Sequence, residues 1–254
     1  MYKSQPLAQP PVASGRLTSD GTRLYAVLPD FDQVAVVEDG EVTRVDVCDR
    51  PVSLALDPDS GSLAVACRDG AVVLDSAGEV TPVHSGDITA VLWSDGLWAL
   101  HRDGRLLSPS GELSASLPGQ VLVASEGVLS TARFKSPPDH GLWWDGVEHR
   151  LERDPGPDSD TNARGVPNLL GTGAMRPDGG LLVWGGLKSN TERGLYNEGE
   201  LFSNDNVVRS VLKVVDPLTA EEQIAPLFDN RDIVGAVAFT PLGCLLYTSP
   251  SARD

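Results

Sequence analysis

The sequence predicts an all-β protein, a β-propeller built from four-stranded antiparallel blades, and three observations support this prediction. A polar turn that ends in glycine recurs between apolar strands, Asp-Gly pairs mark further hairpins between these turns, and the repeated unit shows no helical period. Glycine is the residue that most easily adopts the positive φ of a tight hairpin turn. The turn glycines are spaced 40, 35, 31, 52 and 64 residues apart, and they are Gly21, Gly61, Gly96, Gly127, Gly179 and Gly243.

The repeat is clearest between residues 52 and 83. Short apolar strands are predicted there at 52–56, 62–66, 71–74 and 80–83. Four strands in so short an interval are typical of a propeller blade, whereas a β-sandwich does not explain why the same hairpin returns at blade intervals. We therefore predict five complete or nearly complete blades and the first strand of a sixth. The Asp-Gly pairs are Asp39-Gly40, Asp69-Gly70, Asp103-Gly104 and Asp145-Gly146.

The incomplete propeller is predicted to span residues 13–243, after an N-terminal segment of residues 1–12. Two interruptions are expected within it, an inter-blade loop at 152–168 and an insertion at 185–206 inside the fifth blade. Long loops between ordered strands often carry function. Residues 244–254 differ from one translated frame of a sequencing adapter only at Ala252. We therefore expect this tail to be non-native and the natural sequence of a metagenomic fragment to end before it.

The charge of the chain argues against two classes of partner. Asp and Glu number 36 against 20 Lys and Arg, which gives a formal net charge of −16. Phosphate groups repel so acidic a chain, so we expect no nucleic acid partner and no attraction to an anionic membrane surface. No apolar run is long enough to cross a bilayer as a helix, and the first residues lack the apolar segment of a signal peptide. We therefore expect no membrane insertion.

Few residues suit metal or catalytic chemistry. Cys48 and Cys67 lack a metal-binding spacing and are predicted to be two small buried residues, with a disulfide left open as the alternative. Residues 57–61 look faintly like a calcium loop but are predicted to form a hairpin turn. We predict no catalytic residue and no metal site. The histidines share no spacing and are expected at surface or hairpin positions, and they are His84, His101, His140 and His149.

The segment from Lys188 to Arg209 is the strongest candidate binding site. It gathers cationic and amide side chains in an acidic chain, and such groups suit a small anionic ligand or the acidic loop of a partner protein. The alternative, which we favour, is structural, with Arg209 and Asn206 pinning the insertion to neighbouring blades through backbone carbonyls. The candidate ligand- or partner-binding residues are Lys188, Asn190, Arg193, Asn206 and Arg209.

Three stretches occur in a fixed order in the second half of the chain: a K-x-N-x-x-R-G segment at 188–194, an N-x-V-R-S strand at 206–210 and an A-V-A-F-T-P-x-G hairpin at 236–243. In this order they resemble a group of bacterial envelope proteins with propellers of the YVTN surface-layer type. The resemblance is specific for residues 171–243 and generic for the first half of the chain.

Members of this group are often exported, and some carry c-type haem modules that resemble di-haem peroxidases. The resemblance therefore implies a periplasmic or extracellular location and an association with a larger redox protein. The sequence contains no C-x-x-C-H motif, so no cofactor is expected in this chain. A c-type haem would belong to a missing C-terminal part.

Two interpretations of function remain open. The favoured one is a non-catalytic binding or scaffold propeller from a bacterial envelope protein, with a protein or a small anionic ligand as its partner. The alternative is an enzyme of the six-bladed lactonase or hydrolase type, in which a metal in the central channel activates water. That interpretation requires side chains such as Glu126, Asn190 and Asp229 to converge. Nothing specific in the sequence selects them, so whether the chain is an enzyme is left open.

Overall fold

A computed structural model describes residues 12–13, 15–111, 113–116, 122–125, 128–133, 141–144, 147–156, 164–190, 196–197, 200–201, 208–217, 219, 221–223, 234–240 and 242–248. Contacts divide the chain into two units, residues 11–131 and residues 132–254 together with 1–10. Every regular element in the described ranges is a β-strand. No helix suited to crossing a membrane is found in them.

The first unit contains three four-stranded antiparallel sheets in which successive strands pair in chain order. Two further strands, β14 (Leu122–Ser125) and β15 (Val128–Arg133), pair with each other, and β1 (Val12–Ala13) pairs with β14. The three sheets are β2–β5 (Leu17–Ser19, Arg23–Leu28, Gln33–Glu38, Glu41–Asp46), β6–β9 (Ser53–Leu56, Leu63–Ala66, Gly70–Leu74, Val80–Ser85) and β10–β13 (Ile88–Trp93, Leu97–His101, Arg105–Leu107, Leu113–Ser116).

The hairpin turns of these sheets use the residues that the repeat predicts. Asp39 and Gly40 both have positive φ, 50° and 83°, and they join Glu38 to Glu41 in the two-residue turn that suits the twist of antiparallel strands. Gly127 lies outside the described residues. The other predicted turn glycines have φ between 70° and 118°, and they are Gly21, Gly61, Gly96, Gly179 and Gly243.

The sheets of the first unit pack face to face through apolar side chains. All four residues of β7 are buried, because this strand is apolar on both faces of the pleat. One cluster joins the first sheet to the second, and its buried members are Tyr25, Val27, Val34, Leu54, Leu63, Val65, Cys67, Val72 and Leu74. A second cluster joins the second sheet to the third through four alanines (Ala55, Ala64, Ala66, Ala71) that meet Ile88, Val91, Leu97 and Ala99.

The second unit contains one four-stranded antiparallel sheet and three strand pairs. The strands of the unit are β16 (Gly141–Trp144), β17 (Val147–His149), β18 (Val166–Met175), β19 (Leu182–Ser189), β20 (Tyr196–Asn197), β21 (Glu200–Leu201), β22 (Val208–Val215), β23 (Glu222–Gln223), β24 (Ala236–Phe239) and β25 (Leu245–Thr248). The sheet has the order β18–β19–β22–β23, and one of its faces packs on β24 through a cluster that includes Val183, Leu212 and Val237.

The predicted fold class, an all-β propeller of four-stranded antiparallel blades, is confirmed. The strands predicted at 52–56, 62–66, 71–74 and 80–83 correspond to β6–β9, with boundaries that differ by at most two residues. The first three predicted blades are the four-stranded sheets of the first unit, and the fifth is the β18–β19–β22–β23 sheet. The fourth corresponds to four strands that follow one another in sequence, β14 and β15 in the first unit and β16 and β17 in the second.

Two predicted boundaries differ from the structure, and the predicted tail contains a strand. β19 continues to Ser189, so the first five residues of the expected insertion at 185–206 are strand, because they pair in register with β22. β18 begins at Val166, inside the expected loop at 152–168. β25 lies within the 244–254 tail and pairs with β24.

Candidate functional site

The candidate site is built on β19 and β22, which pair over the whole length of both strands, from Leu182 opposite Val215 to Ser189 opposite Val208. This register places Lys188 directly opposite Arg209. Neighbours across an antiparallel pair project from the same face of the sheet, so the two cations share a face.

The structure buries the predicted site residues that it describes. Lys188, Asn190 and Arg209 are 5%, 3% and 5% exposed, whereas charged side chains are almost never so buried unless they are paired. Arg193 and Asn206, the other two predicted members of the site, lie outside the described residues. The described part of the site is therefore an interior polar cluster.

Lys188 is paired with a carboxylate from a distant part of the chain. Its Nζ lies 2.5 Å from Oδ2 of Asp154, and Oδ1 of Asp154 accepts a hydrogen bond of 3.0 Å from the amide of Gly156. Burial on its own raises the pKa of Asp154, but the hydrogen bonds from Lys188 and Gly156 outweigh it and hold the pKa below its ordinary value. Asp154 is therefore a carboxylate that neutralises Lys188.

A second pair lies on the same face. Lys213 is opposite Trp184 in the register, and its ammonium group binds the carboxylate of Glu222 and the carbonyl oxygen of Glu152, the latter at 3.1 Å. The other carboxylate oxygen of Glu222 accepts a hydrogen bond from the amide of Glu152. These bonds and the Lys188–Asp154 pair tie residues 152–154 to the sheet at two points.

The sequence analysis missed Lys213 and Asp154. One signal could have identified Lys213, because alternate residues of a strand share a face and Lys213 is four positions after Arg209. Nothing local identifies Asp154, which lies 34 residues before Lys188. An anion that entered this cluster would have to break the ion pairs of Lys188 and Lys213. The structural alternative, in which Arg209 and Asn206 pin the insertion through backbone carbonyls, stays a prediction, because Asn206 lies outside the described residues.

Cys48 and Cys67 form a disulfide, the alternative that the sequence left open, with 5.9 Å between their Cα atoms. Cys67 directly follows β7 and Cys48 lies two residues after the end of β5, so the bond joins the first and second sheets of the first unit. Within the described ranges, the grouping of Cys, His, Asp and Glu compatible with a metal consists of these two cysteines and Asp69. The disulfide occupies both sulfur atoms, so this grouping is not a ready metal site.

His101 lies at the hairpin that joins β11 to β12, one of the two kinds of position expected for the histidines, but its side chain is buried, at 6% exposed. Its ring packs on Gly86, where a Cβ would come within 2.8 Å of Cε1, and its Nδ1 lies 3.4 Å from a guanidinium nitrogen of Arg105. Burial lowers the pKa of His101, and the charge of Arg105 lowers it further. His84 and His149 are partly buried, and His140 lies outside the described residues.

The remaining predictions concern turn residues and the enzyme alternative. Residues 57–61 form a hairpin turn as predicted: the Asp57 carboxylate accepts hydrogen bonds from the amide of Asp59 (3.2 Å) and the hydroxyl of Ser60 (2.6 Å). Of the residues that the enzyme alternative needs, Glu126 and Asp229 lie outside the described residues.

Among known proteins, similarity to this chain is found in solved structures. No protein-family model matches the chain, and no curated protein matches it. Among solved structures, hydrazine synthase of Kuenenia stuttgartiensis aligns with 96% of this chain and 74% of its own, at 14% identity and a TM-score of 0.61. The Dos1 propeller aligns with 92% of this chain and 75% of its own, at 15% identity and a TM-score of 0.45. The dihydro-heme d1 dehydrogenase NirN, in complex with DHE, aligns with 84% of this chain and 46% of its own, at 16% identity and a TM-score of 0.45.

The strand order of the sheets and the similarity to hydrazine synthase define the class: the chain is a β-propeller protein. Similarity at 14% identity shows the fold alone.

Proposed function

We propose that this chain is a non-catalytic binding or scaffold propeller of a bacterial envelope protein, of the YVTN type that residues 171–243 resemble. The observation that carries the proposal is the pairing of two cations with carboxylates, the buried Lys188 with Asp154 and the partly buried Lys213 with Glu222. A buried cation that is already neutralised stabilises architecture and has little capacity to bind a further anion. The same cations lie on the two strands that lead into and out of the chain segment 190–207.

The binding element in this proposal is the segment 190–207, with a protein as its partner. The segment connects two strands paired over eight residues each, so its ends are held in a fixed register. Its described part contains a short hairpin in which β20 pairs with β21. Loops on a rigid scaffold are where recognition usually occurs. Arg193 and Asn206 remain the candidate contact residues within it.

The disulfide supports the proposed location. Structural disulfides form in oxidising compartments, such as the bacterial periplasm and the extracellular medium, and are rare in the cytosol. The Cys48–Cys67 bond is therefore consistent with an exported protein.

The proposed redox association concerns another part of the envelope protein. Covalent attachment of a c-type haem requires a C-x-x-C-H motif, which this sequence lacks, and the two cysteines of the first unit are joined to each other. The residues of this chain therefore do not fit a c-type haem. A haem module, if fused, would follow the propeller.

The binding proposal is tested by removing the segment. Because Ser189 is directly opposite Val208, an Asn-Gly turn can replace residues 190–207 and leave β19 and β22 paired. We expect chemical cross-linking in envelope fractions of the source bacterium to identify a protein partner of the intact chain that the shortened chain no longer captures. The control variant is Gly171→Ala, an exposed change elsewhere on β18.

Two outcomes would contradict the proposal. One is saturable binding of succinate, citrate or inorganic phosphate, measured by calorimetry and lost in Arg209→Gln, which would indicate a small-anion site. The other is metal-dependent hydrolysis of a lactone by the intact chain, which would indicate the enzyme alternative.

The envelope and haem association is tested by sequencing the source DNA through the codon for Gly243. We expect the reading frame to continue into further blades and then into C-x-x-C-H motifs. A source gene that encodes Cys244–Asp254 followed by a stop codon would overturn both the adapter interpretation and the fused-haem proposal.

A further inference from the structure

The disulfide of the first unit has a carboxylate beside it. The sulfur atoms of Cys48 and Cys67 and a carboxylate oxygen of Asp69 all lie within 4.8 Å of one another. Thiolates and carboxylates are both ligands of zinc, and thiolates select thiophilic ions over Mg²⁺ or Ca²⁺. While the two sulfur atoms are bonded to each other they do not bind a metal, so this set of donors exists only in the reduced chain.

Backbone hydrogen bonds hold the segment that carries Cys48, independently of the disulfide. Before this cysteine, the amide of Val47 donates to the carbonyl oxygen of Asp32 at 3.0 Å. After it, the carbonyl oxygen of Asp49 accepts a hydrogen bond of 2.9 Å from the amide of Arg68, the residue that follows the partner cysteine. Because these bonds fix the backbone on both sides, the two thiols stay next to each other when the disulfide is reduced.

Asp69 is oriented towards the same point. It lies in the turn between β7 and β8, and its Oδ1 accepts a hydrogen bond of 3.1 Å from the amide of Asp49, the residue after Cys48. This leaves Oδ2 to bind an ion, with the amide as an outer partner that orients the carboxylate. Asp69 is exposed and Cys48 is half-buried, so an ion can reach the donors from solvent, although Cys67 is fully buried.

We propose that Cys48, Cys67 and Asp69 of the reduced chain bind a thiophilic divalent cation of the Zn²⁺ type, and that the metal and the disulfide exclude each other. Two thiolates at about 2.3 Å from one zinc ion lie about 3.8 Å apart at a tetrahedral angle. Side-chain rotation can supply this separation, because the two Cα atoms are 5.9 Å apart. Three protein ligands leave the fourth position to water. The site lies in the first unit and does not depend on the function proposed for the segment 190–207.

The reduced form arises by thiol–disulfide exchange. A small dithiol attacks the Cys48–Cys67 bond through a mixed disulfide, its own two sulfur atoms join, and the two cysteines leave as thiols. Two electrons and two protons pass from the dithiol to the protein. Binding of the ion then releases both thiol protons to solvent, so the affinity falls as the pH is lowered. The cytosol keeps thiols reduced, so a chain that is made there and then exported has the reduced form first.

The test uses Co²⁺ as the probe, because thiolate ligands give bound Co²⁺ a charge-transfer absorption in the near ultraviolet. The full chain carries Cys244→Ser, which removes the exposed free thiol. It is reduced with dithiothreitol and desalted without oxygen. We expect one Co²⁺ per reduced chain, with a charge-transfer band that Zn²⁺ abolishes by displacement, and no band from the oxidised chain. A reduced chain without the band, or an oxidised chain with it, would overturn the proposal.

Two aspartate variants separate a three-ligand site from a pair of thiols. Asp69→Asn should weaken Co²⁺ binding at least about tenfold, since even an outer partner of a metal ligand contributes that much. Asp39→Asn is the matched control, because it removes the same charge from another exposed hairpin turn of the first unit and should leave the affinity unchanged. Equal affinities of the two variants would show that Asp69 is not a ligand and that the proposed site is wrong.

A melting measurement covers the case in which reduction or a substitution unfolds the chain. One equivalent of Zn²⁺ should raise the melting temperature of the reduced Cys244→Ser chain, or restore its circular dichroism spectrum if it has unfolded, because the ion binds the folded site. The oxidised chain should show no change. A reduced chain that does not respond to Zn²⁺ in either way would also overturn the proposal.

Discussion

The buried indole of Trp184 leaves no room for a side chain at position 173. A Cβ on Gly173 would lie 2.6 Å from two ring carbons, and Trp184 is fully buried, so the ring cannot move into solvent. Glycine in the middle of a strand is normally unfavourable. Here it is required because β18 and β19 place residue 173 directly opposite this ring.

We therefore expect Gly173→Ala to lower the free energy of unfolding by about 1–3 kcal/mol, the usual effect of overpacking a core. Gly171→Ala is the matched control, since it lies on the same strand with nothing within 4 Å of its Cβ position, and it should be neutral or slightly stabilising. Urea denaturation of both variants measures the difference. Equal stability of the two would show that the strand yields around Trp184.

His101 should make the stability of the first unit depend on pH. Burial lowers the pKa of His101 below its ordinary value of 6.5, and the charge of Arg105 lowers this pKa further. The carboxylates of Asp103 and Asp87 oppose the shift. The pKa of His84 is also lowered, by burial and by the charge of His101. The unfolded state then binds protons more readily than the folded state. Stability is fully present above about pH 6.5 and is lost as the pH falls from there towards the folded pKa.

Thermal unfolding between pH 7.5 and 5 should therefore show a falling melting temperature, and His101→Gln should reduce the slope. Titration of the imidazole by NMR provides the direct measurement. A His101 that titrates at or above 6.5 would contradict the expectation.

At the scale of elements, the Lys188–Asp154 pair fastens residues 152–154 to β19. The side chains are 6% and 24% exposed, so Asp154→Ala leaves a buried ammonium without its carboxylate. We expect a loss of about 3 kcal/mol in the free energy of unfolding, near the lower end for a broken buried pair. The double variant Lys188→Met/Asp154→Ala should recover part of this loss, which a double-mutant cycle in urea measures.

The exposed pair Arg23–Glu38 is the matched control, with side chains 39% and 54% exposed. Glu38→Gln should change stability by less than about 1 kcal/mol, because solvent screens such a pair. If Asp154→Ala costs no more than Glu38→Gln, residues 152–154 are not held by the pair, and the structural interpretation of the cluster is wrong.

At the scale of the whole molecule, the two units should respond differently to reduction. The Cys48–Cys67 bond closes a loop of about 20 residues within the first unit, and in the chain-entropy account such a crosslink contributes about 3 kcal/mol. We expect dithiothreitol, or Cys48→Ala with Cys67→Ala, to increase hydrogen exchange in β3–β8. Exchange in β18, β19 and β22 should change little. An equal increase in both units would contradict this localisation.

The fold was largely predictable because its signals are local. The turn at Asp39-Gly40 follows from the positive φ that these two residues tolerate, and the strands around Leu63–Ala66 follow from short apolar runs between such turns. The extension of β19 to Ser189 was not predictable, because Gly185, Gly186 and Lys188 are poor strand signals. They are strand because β22 supplies partners in register.

The sequence by itself determined the class of fold, the turn glycines and the strand intervals, since each depends on preferences that neighbouring residues carry. It also singled out Lys188, Asn190 and Arg209 as a polar group in an acidic chain. Only the tertiary structure decided that these residues are buried, that Asp154 neutralises Lys188, and that Cys48 bonds Cys67. Those outcomes depend on distances between segments far apart in sequence, which are set when whole sheets stack and bury their apolar faces, and no local pattern encodes them.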